Sequence, residues 1–129
     1  MFIYRKHTGT GVKKYKSCLT TYCVVREVLT VKSKGVALLP YSEYLKRIGN
    51  KSVYTDIELQ TKYNVSTNLV LVDLVYYGFF GEGNNVNMDW LSRNDCWGNC
   101  YPTENRLTPE QFKKILREGH IDVDNVIID

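Results

Sequence analysis

The apolar positions of the chain concentrate in one run, Thr67–Phe80, which reads Thr-Asn-Leu-Val-Leu-Val-Asp-Leu-Val-Tyr-Tyr-Gly-Phe-Phe. Side chains alternate across a strand, so Leu69, Leu71, Val75, Tyr77 and Phe79 would share one face and Val70, Val72, Leu74 and Tyr76 the other. Both faces are apolar, the pattern of a strand covered on both sides. The β-branched and aromatic content favours the same assignment. Asp73 is the only charge in the run and needs a partner if buried.

Shorter elements surround this run. Phe2-Ile3-Tyr4 predicts a first strand, and Cys18–Arg26 with Glu27–Val31 predicts one or two more. Gly35 breaks that pattern before the apolar stretch Val36–Leu39. After Pro40, Tyr41–Ile48 fits two helical turns with Leu45 and Ile48 inward and Gly49 as the stop. Lys51–Tyr63 suits helix or strand. Leu107–Gly119 carries a full set of helix signals: Thr108 as N-cap, Pro109 in the first turn, and Gln111 completing a capping box. Leu107 and Phe112 are spaced for a hydrophobic staple, Phe112, Ile115 and Leu116 form the core stripe, and Gly119 ends the helix. Ile121–Ile128 then predicts a final strand, with Asp122 and Asp124 on one face, either solvated or holding a cation. Gly78–Asn105 is rich in Gly and Asn. It reads as a long loop, which in a compact domain is functional or conceals an element. The pattern as a whole predicts one α+β domain over residues 1–129: a mainly antiparallel sheet, Val70–Tyr77 central, covered by two or three short helices.

Two segments resemble known families. Asp56–Leu74 resembles the helix-turn-helix of bacterial regulators, with Leu59 packed inside, Asn64-Val65 in the turn, Ser66 capping the second helix, and Val70 and Leu74 facing inward. It departs from that pattern at Gln60, where a small residue belongs. Its second helix would carry Asp73 and no Lys or Arg, whereas DNA contact needs cations for phosphates. Leu-Thr-Pro-Glu-Gln together with Val-Ile-Ile-Asp is similar to the tail of a viral ring-nuclease family over the last 23 residues. The catalytic region of that family has no counterpart here, so the resemblance implies no activity.

Composition narrows the class. Hydrophobic residues at 43% and charged residues at 24% describe a globular chain. No apolar run reaches the length of a membrane span. The opening Met-Phe-Ile-Tyr-Arg-Lys-His lacks the layout of a signal peptide. A cytoplasmic protein with reduced cysteines and no membrane partner is the expectation. The net charge of +3 hides an asymmetry: residues 1–50 carry ten Lys/Arg against two Asp/Glu, and residues 51–129 carry seven against twelve. Either the surface has a basic and an acidic face, or the fold interleaves the halves and they neutralise each other.

The candidate chemistry follows from that asymmetry. Arg5, Lys6, His7, Lys13, Lys14, Tyr15 and Lys16 surround Gly9 and Gly11, and a Gly-rich turn beside lysines can cradle a phosphate. Cations interleaved with aromatics also suit single-stranded nucleic acid. The glycine spacing is not that of a P-loop, and a solvated loop is the structural alternative. Trp90, Trp97 and Tyr101 would form a partner-binding surface if exposed, and would pin the loop to the core if buried. Cys18 and Cys23 have four residues between them and Cys96 and Cys100 three, neither the spacing of a strong zinc site. Cys96 and His120 slightly resemble the Cys and His segments of thiol peptidases but are only 24 residues apart. No catalytic residue, metal or cofactor is assigned. The expected function is a small intracellular, non-catalytic binding protein whose basic N-terminal half engages nucleic acid or a phosphate-bearing ligand. One alternative is a protein–protein inhibitor or adaptor of the mobile-element type, using the acidic half and the loop 81–105 against a larger host or partner protein. The other is a Cys–His thiol enzyme.

Overall fold

The structure is a computed structural model and describes residues 1–98 and 105–126, the side chains of Tyr76 and Tyr77 apart. The fold is α+β, with a mainly antiparallel sheet and short helices. In chain order the elements are β1 (Phe2–Arg5), α1 (Lys13–Lys16), β2 (Cys18–Ser33), β3 (Val36–Ala37), α2 (Tyr41–Ile48), α3 (Asp56–Val65), β4 (Leu69–Phe79), β5 (Val86–Asn87), α4 (Met88–Arg93), α5 (Pro109–Glu118) and a 3₁₀ turn, Val123–Asn125.

The run 67–80 is strand β4 along most of its length. It is not the centre of the sheet. β2 is one uninterrupted strand of 16 residues, and β1, β3, β4 and β5 all pair with it. Its length gives it room for partners at both ends: β1 pairs antiparallel along Cys18–Tyr22 and β3 along Lys32–Ser33. The expectation that both faces of β4 are covered also fails. Leu69 and Leu71 pack inward, but Val70 is 50% exposed and Val72 40%. Apolar β-branched residues are good strand formers wherever they stand, so their presence on a face does not require that face to be buried.

Tertiary contacts divide the chain into two compact units: Met1–Val24 with Tyr76–Asp129, and Val25–Val75. In the first, the core is Leu19, Tyr22, Phe80, Val86, Leu91, Cys96, Ile115, Leu116 and Val126. Helix α5 forms as its sequence signals require. Thr108 accepts from the Gln111 amide, the Gln111 side chain accepts from the Thr108 amide, and Ile115 and Leu116 are fully buried. Phe112 stacks on Phe2 with ring centroids 4.4 Å apart. The residue that turns the chain out of α5 is His120, with φ of 58°, and not Gly119, whose φ is −77°. Glycine is needed at 119 because a Cβ there would come within 2.8 Å of the Phe80 ring.

The predicted final strand is absent from the described residues. Asp122 accepts from the amide of Asp124 and from Asn125 Nδ2, forming a 3₁₀ turn. Short Asp and Asn side chains that bond their own backbone compete with a strand ladder in this way. Asp122 is therefore committed to the turn, not paired with Asp124 across a strand face. The Gly/Asn-rich region conceals β5 and α4. Asn87 is the N-cap of α4, its Oδ1 accepting from the Trp90 amide at 2.8 Å. An asparagine that looks like a loop residue in sequence is here a helix start.

In the second unit, Val31, Tyr44, Ile48 and Leu59 form the buried centre, with Leu39, Tyr41, Leu45, Tyr63, Leu69 and Leu71 packed against it. Lys51–Tyr63 resolves as helix from Asp56 onward because Thr55 and Glu58 make a reciprocal capping box. The first helix of the helix-turn-helix pattern thus exists, but the chain leaves it at Ser66 and becomes strand β4 three residues later. Tyr41, Tyr44 and Tyr63 cluster at ring separations of 5.1 to 6.2 Å. The Tyr63 hydroxyl donates to the Leu39 carbonyl at 2.7 Å, fixing the chain between β3 and α2.

Candidate anion-binding groove

The basic arm of the sequence is where the first expectation lay. Lys13–Lys16 is one short helical turn, not part of a loop. Several of its charges are already engaged. Lys14 lies 3.3 Å from the Asp89 carboxylate and 4.7 Å from the centre of the Tyr15 ring. Lys16 Nζ donates to the Thr10 carbonyl at 2.8 Å, and a His7 ring nitrogen contacts the same oxygen at 2.9 Å. That carbonyl therefore holds two of the candidate anion-binding side chains, Lys16 and His7, across the Gly9–Gly11 turn. Arg5, Lys6 and Lys13 are exposed and make no ion pair among the described residues. The Gly-rich turn is held together by its own side chains and offers a diffuse positive field, not a built cradle.

The charge asymmetry between the sequence halves does not carry over to the two units. The unit Met1–Val24 with Tyr76–Asp129 holds ten Lys/Arg and nine Asp/Glu, and the unit Val25–Val75 holds seven and five. The basic N-terminal segment joins part of the acidic half in one unit, and the Lys14–Asp89 contact is one expression of it. By formal count the two units carry only +1 (10 − 9) and +2 (7 − 5).

A concave site lies within the second unit. A groove of about 440 Å³ is lined by strand residues Arg26 and Glu27, Leu69–Asp73, and residues of α2, α3 and the loop between them. Its floor is apolar, with Ile48 and Leu59 buried and Leu69 and Leu71 half-buried. Its lining carries four cations, Arg26, Arg47, Lys51 and Lys62, against two carboxylates, Glu27 and Asp73. Both carboxylates are paired. Asp73 accepts from Arg26 Nε at 2.9 Å and from its Nη2, with Lys51 Nζ at 3.9 Å. Glu27 accepts from Arg47 at 3.3 Å. The Arg26 hydrogen bond holds the Asp73 carboxyl below the usual carboxylate range, with the charges of Arg26 and Lys51 adding to it and desolvation opposing. Asp73 is half-buried, and it is paired. Lys62 sits 4.4 Å from the centre of the Tyr54 ring and forms no ion pair among the described residues.

Tyr44 adds a directional group. The residue is 4% exposed, lines the groove, and its hydroxyl has no hydrogen-bond partner among the described residues. Because no fully buried side-chain oxygen or nitrogen among the described residues is left unsatisfied, that hydroxyl keeps some access to solvent. Burial pushes the Tyr44 phenol up, with Tyr41 and Tyr54 adding to the shift, so it stays protonated and able to donate. Sequence reasoning placed Leu45 and Ile48 on the inner face of α2 and passed over Tyr44. The apolar periodicity marks position 44 as inward too, and an inward tyrosine always raises the question of where its hydroxyl goes.

The other candidates are placed differently. Trp90 and Trp97 are half-buried against the first unit's core, Trp97 tilted on Tyr4 at 5.2 Å. Tyr101 and Cys100 lie outside the described residues. Cys18, Cys23 and Cys96 are free thiols. Cys96 is buried and its thiol donates to the Asn94 carbonyl at 3.4 Å. Burial, with the Asp95 charge, pushes that thiol up. His120 is exposed, and no hydrogen bond joins Cys96 to a histidine among the described residues. Within the same residues no three His, Cys, Asp or Glu side chains cluster as metal ligands would. Among the described residues no helix is long and apolar enough to cross a membrane. Compared with protein-family models, curated proteins and solved structures, the chain matches none of them.

Proposed function

We propose that the protein is a small non-catalytic binding protein that engages an anionic, phosphate-bearing partner, and that the groove of the Val25–Val75 unit is where it does so. The observation that carries this reading is the lining of that groove: four cations around an apolar floor, with a net charge of two positives after Glu27 and Asp73 are counted. A concave, largely apolar pocket with a few convergent polar groups is the usual form of a ligand site, and 440 Å³ falls in the customary range. Two of the cations, Arg26 and Arg47, come from the basic N-terminal half of the sequence. The partial burial of Trp90 and Trp97 leaves them less area for a partner protein, which favours this reading over the inhibitor or adaptor.

Retention on a heparin column at low salt, with elution shifting steeply as salt rises, tests it. Lys51→Glu and Lys62→Glu should each move elution to lower salt more than Lys13→Glu does. These two lysines are chosen because neither is locked into a close ion pair. Wild-type protein that passes unretained at low salt would overturn the reading. If Lys13→Glu alone weakened retention, the site would be the arm and not the groove.

A further inference from the structure

Resting on that reading of the groove, we infer that its ligand is a mononucleotide: a flat aromatic base joined through a sugar to a phosphate monoester. Three features of the same groove require three different things of a ligand. The apolar floor of Ile48, Leu59, Leu69 and Leu71 rewards a ligand with an apolar or aromatic body, which a bare phosphate or a polyphosphate lacks. Tyr54 is 48% exposed, with Lys62 at one face of its ring, which leaves surface on which a planar group can stack. Tyr44 lines the groove, and its hydroxyl, still accessible and without a hydrogen-bond partner among the described residues, can donate to an acceptor such as a ring nitrogen or carbonyl of a base.

The cations divide the remaining work. Arg26 and Arg47 are each held against a carboxylate, Asp73 and Glu27, which keeps their guanidinium groups at the wall. Lys51, 3.9 Å from Asp73, and Lys62, over the Tyr54 ring and in no ion pair among the described residues, are the two that can turn toward a phosphate without breaking a short ion pair. Both are on flexible stems, so each acts as a point charge and not as a bidentate clamp. The lining thus sets an aromatic-binding floor and a phosphate-binding rim within one 440 Å³ space, enough for one nucleotide.

The test is isothermal titration of the full chain with adenosine 5′-monophosphate, adenosine and inorganic phosphate, each alone. The nucleotide should bind at least tenfold tighter than either of its parts. Tyr44→Phe, which keeps the ring and removes the donor, should weaken nucleotide binding about five- to tenfold. Tyr54→Leu should weaken it by a similar factor, consistent with the loss of one stacked base. Lys62→Glu should weaken both the nucleotide and heparin. Unchanged circular dichroism and thermal midpoints establish that the variants are folded. A 5′-phosphorylated oligonucleotide added as competitor separates the two sources of this chemistry: displacement of the nucleotide assigns the groove to a strand end, and none assigns it to the free nucleotide. If heparin is retained but the nucleotide does not bind at millimolar concentration, or binds no better than phosphate, this inference fails and the broader anion-binding reading stands. If neither binds, both fail. Nucleotide binding that is indifferent to Tyr44→Phe and Tyr54→Leu would also overturn the assignment, because the base would then lie elsewhere.

Discussion

Gly78→Ala sets two opposed effects against each other, and the structure decides which wins. Gly78 lies inside β4, where glycine costs roughly 0.5–1 kcal/mol relative to alanine through lost chain entropy. Its backbone is not in the left-handed region, so the conformation itself does not object to a side chain. On those grounds alone alanine should stabilise. The ring of Tyr22, however, lies directly over the position: a Cβ on Gly78 would stand 2.6 Å from Tyr22 Cζ and 2.7 Å from Cε1. Ordinary contact begins near 3.4 Å, so the ring must move by the better part of an ångström. Tyr22 is 8% exposed and stacked on Phe80 at 5.9 Å, which leaves it little room to do so. Overpacking of this kind costs about 1–3 kcal/mol. The net expectation is a loss of about 0.5–2 kcal/mol, read as a lower urea midpoint at unchanged slope. In a chain of this size that is a fall of roughly 2–8 °C in Tm. The mechanism is checked by combining Gly78→Ala with Tyr22→Leu. Since the added methyl harms only by meeting the ring, the double variant should be more stable than the sum of the single losses predicts, by about 1 kcal/mol. Gly78→Ala at or above wild-type stability, or strict additivity with Tyr22→Leu, would refute the close approach of ring and strand.

Three further outcomes are expected. His120→Gly should raise stability by about 0.5–1 kcal/mol in urea unfolding, because a non-glycine residue holds φ of 58° at the end of α5 and glycine adopts that conformation without strain. Cys96 should react with iodoacetamide far more slowly than the partly exposed Cys18 in native protein and at a comparable rate in urea, as peptide mass spectrometry can show. Its raised folded pKa means that the unfolded thiol ionises first, so its contribution to stability is complete below the unfolded thiol pKa and is lost as pH rises through the folded one. Asp73 and Glu58 are both depressed, Asp73 chiefly by the Arg26 hydrogen bond and Glu58 chiefly by the Thr55 amide. Their contributions are therefore complete above the ordinary carboxylate range and lost as pH falls through their folded pKa values; Asp73→Asn should flatten the acid limb of a stability–pH curve, and an unchanged limb would argue against the pairing.

Helix α5 was legible from the sequence nearly residue by residue. Thr108, Pro109, Gln111 and the stripe Phe112, Ile115 and Leu116 act within one or two turns, and such local signals need no knowledge of the rest of the chain. The same holds for α2 and for the strand character of the 69–79 run, where branched and aromatic residues follow one another. Beyond that range the sequence underdetermined the result. Nothing local says that Cys18–Ser33 is one strand to which all the others pair, since pairing depends on segments far away in the chain. Gly119 looks like a helix stop, but its smallness serves the Phe80 ring, a contact made across 39 residues of chain that no local pattern records. Composition alone showed a basic half and an acidic half, while the fold joins residues 1–24 to 76–129 and leaves each unit close to neutral. The groove is the clearest case. Arg26, Arg47, Lys51 and Lys62 lie on four separate segments with no motif spacing among them, and Tyr44 reads in sequence as one more apolar position of α2. Charges and an unpaired hydroxyl become a site only when chain reversal brings them around one cavity, and that is a property of the tertiary structure alone.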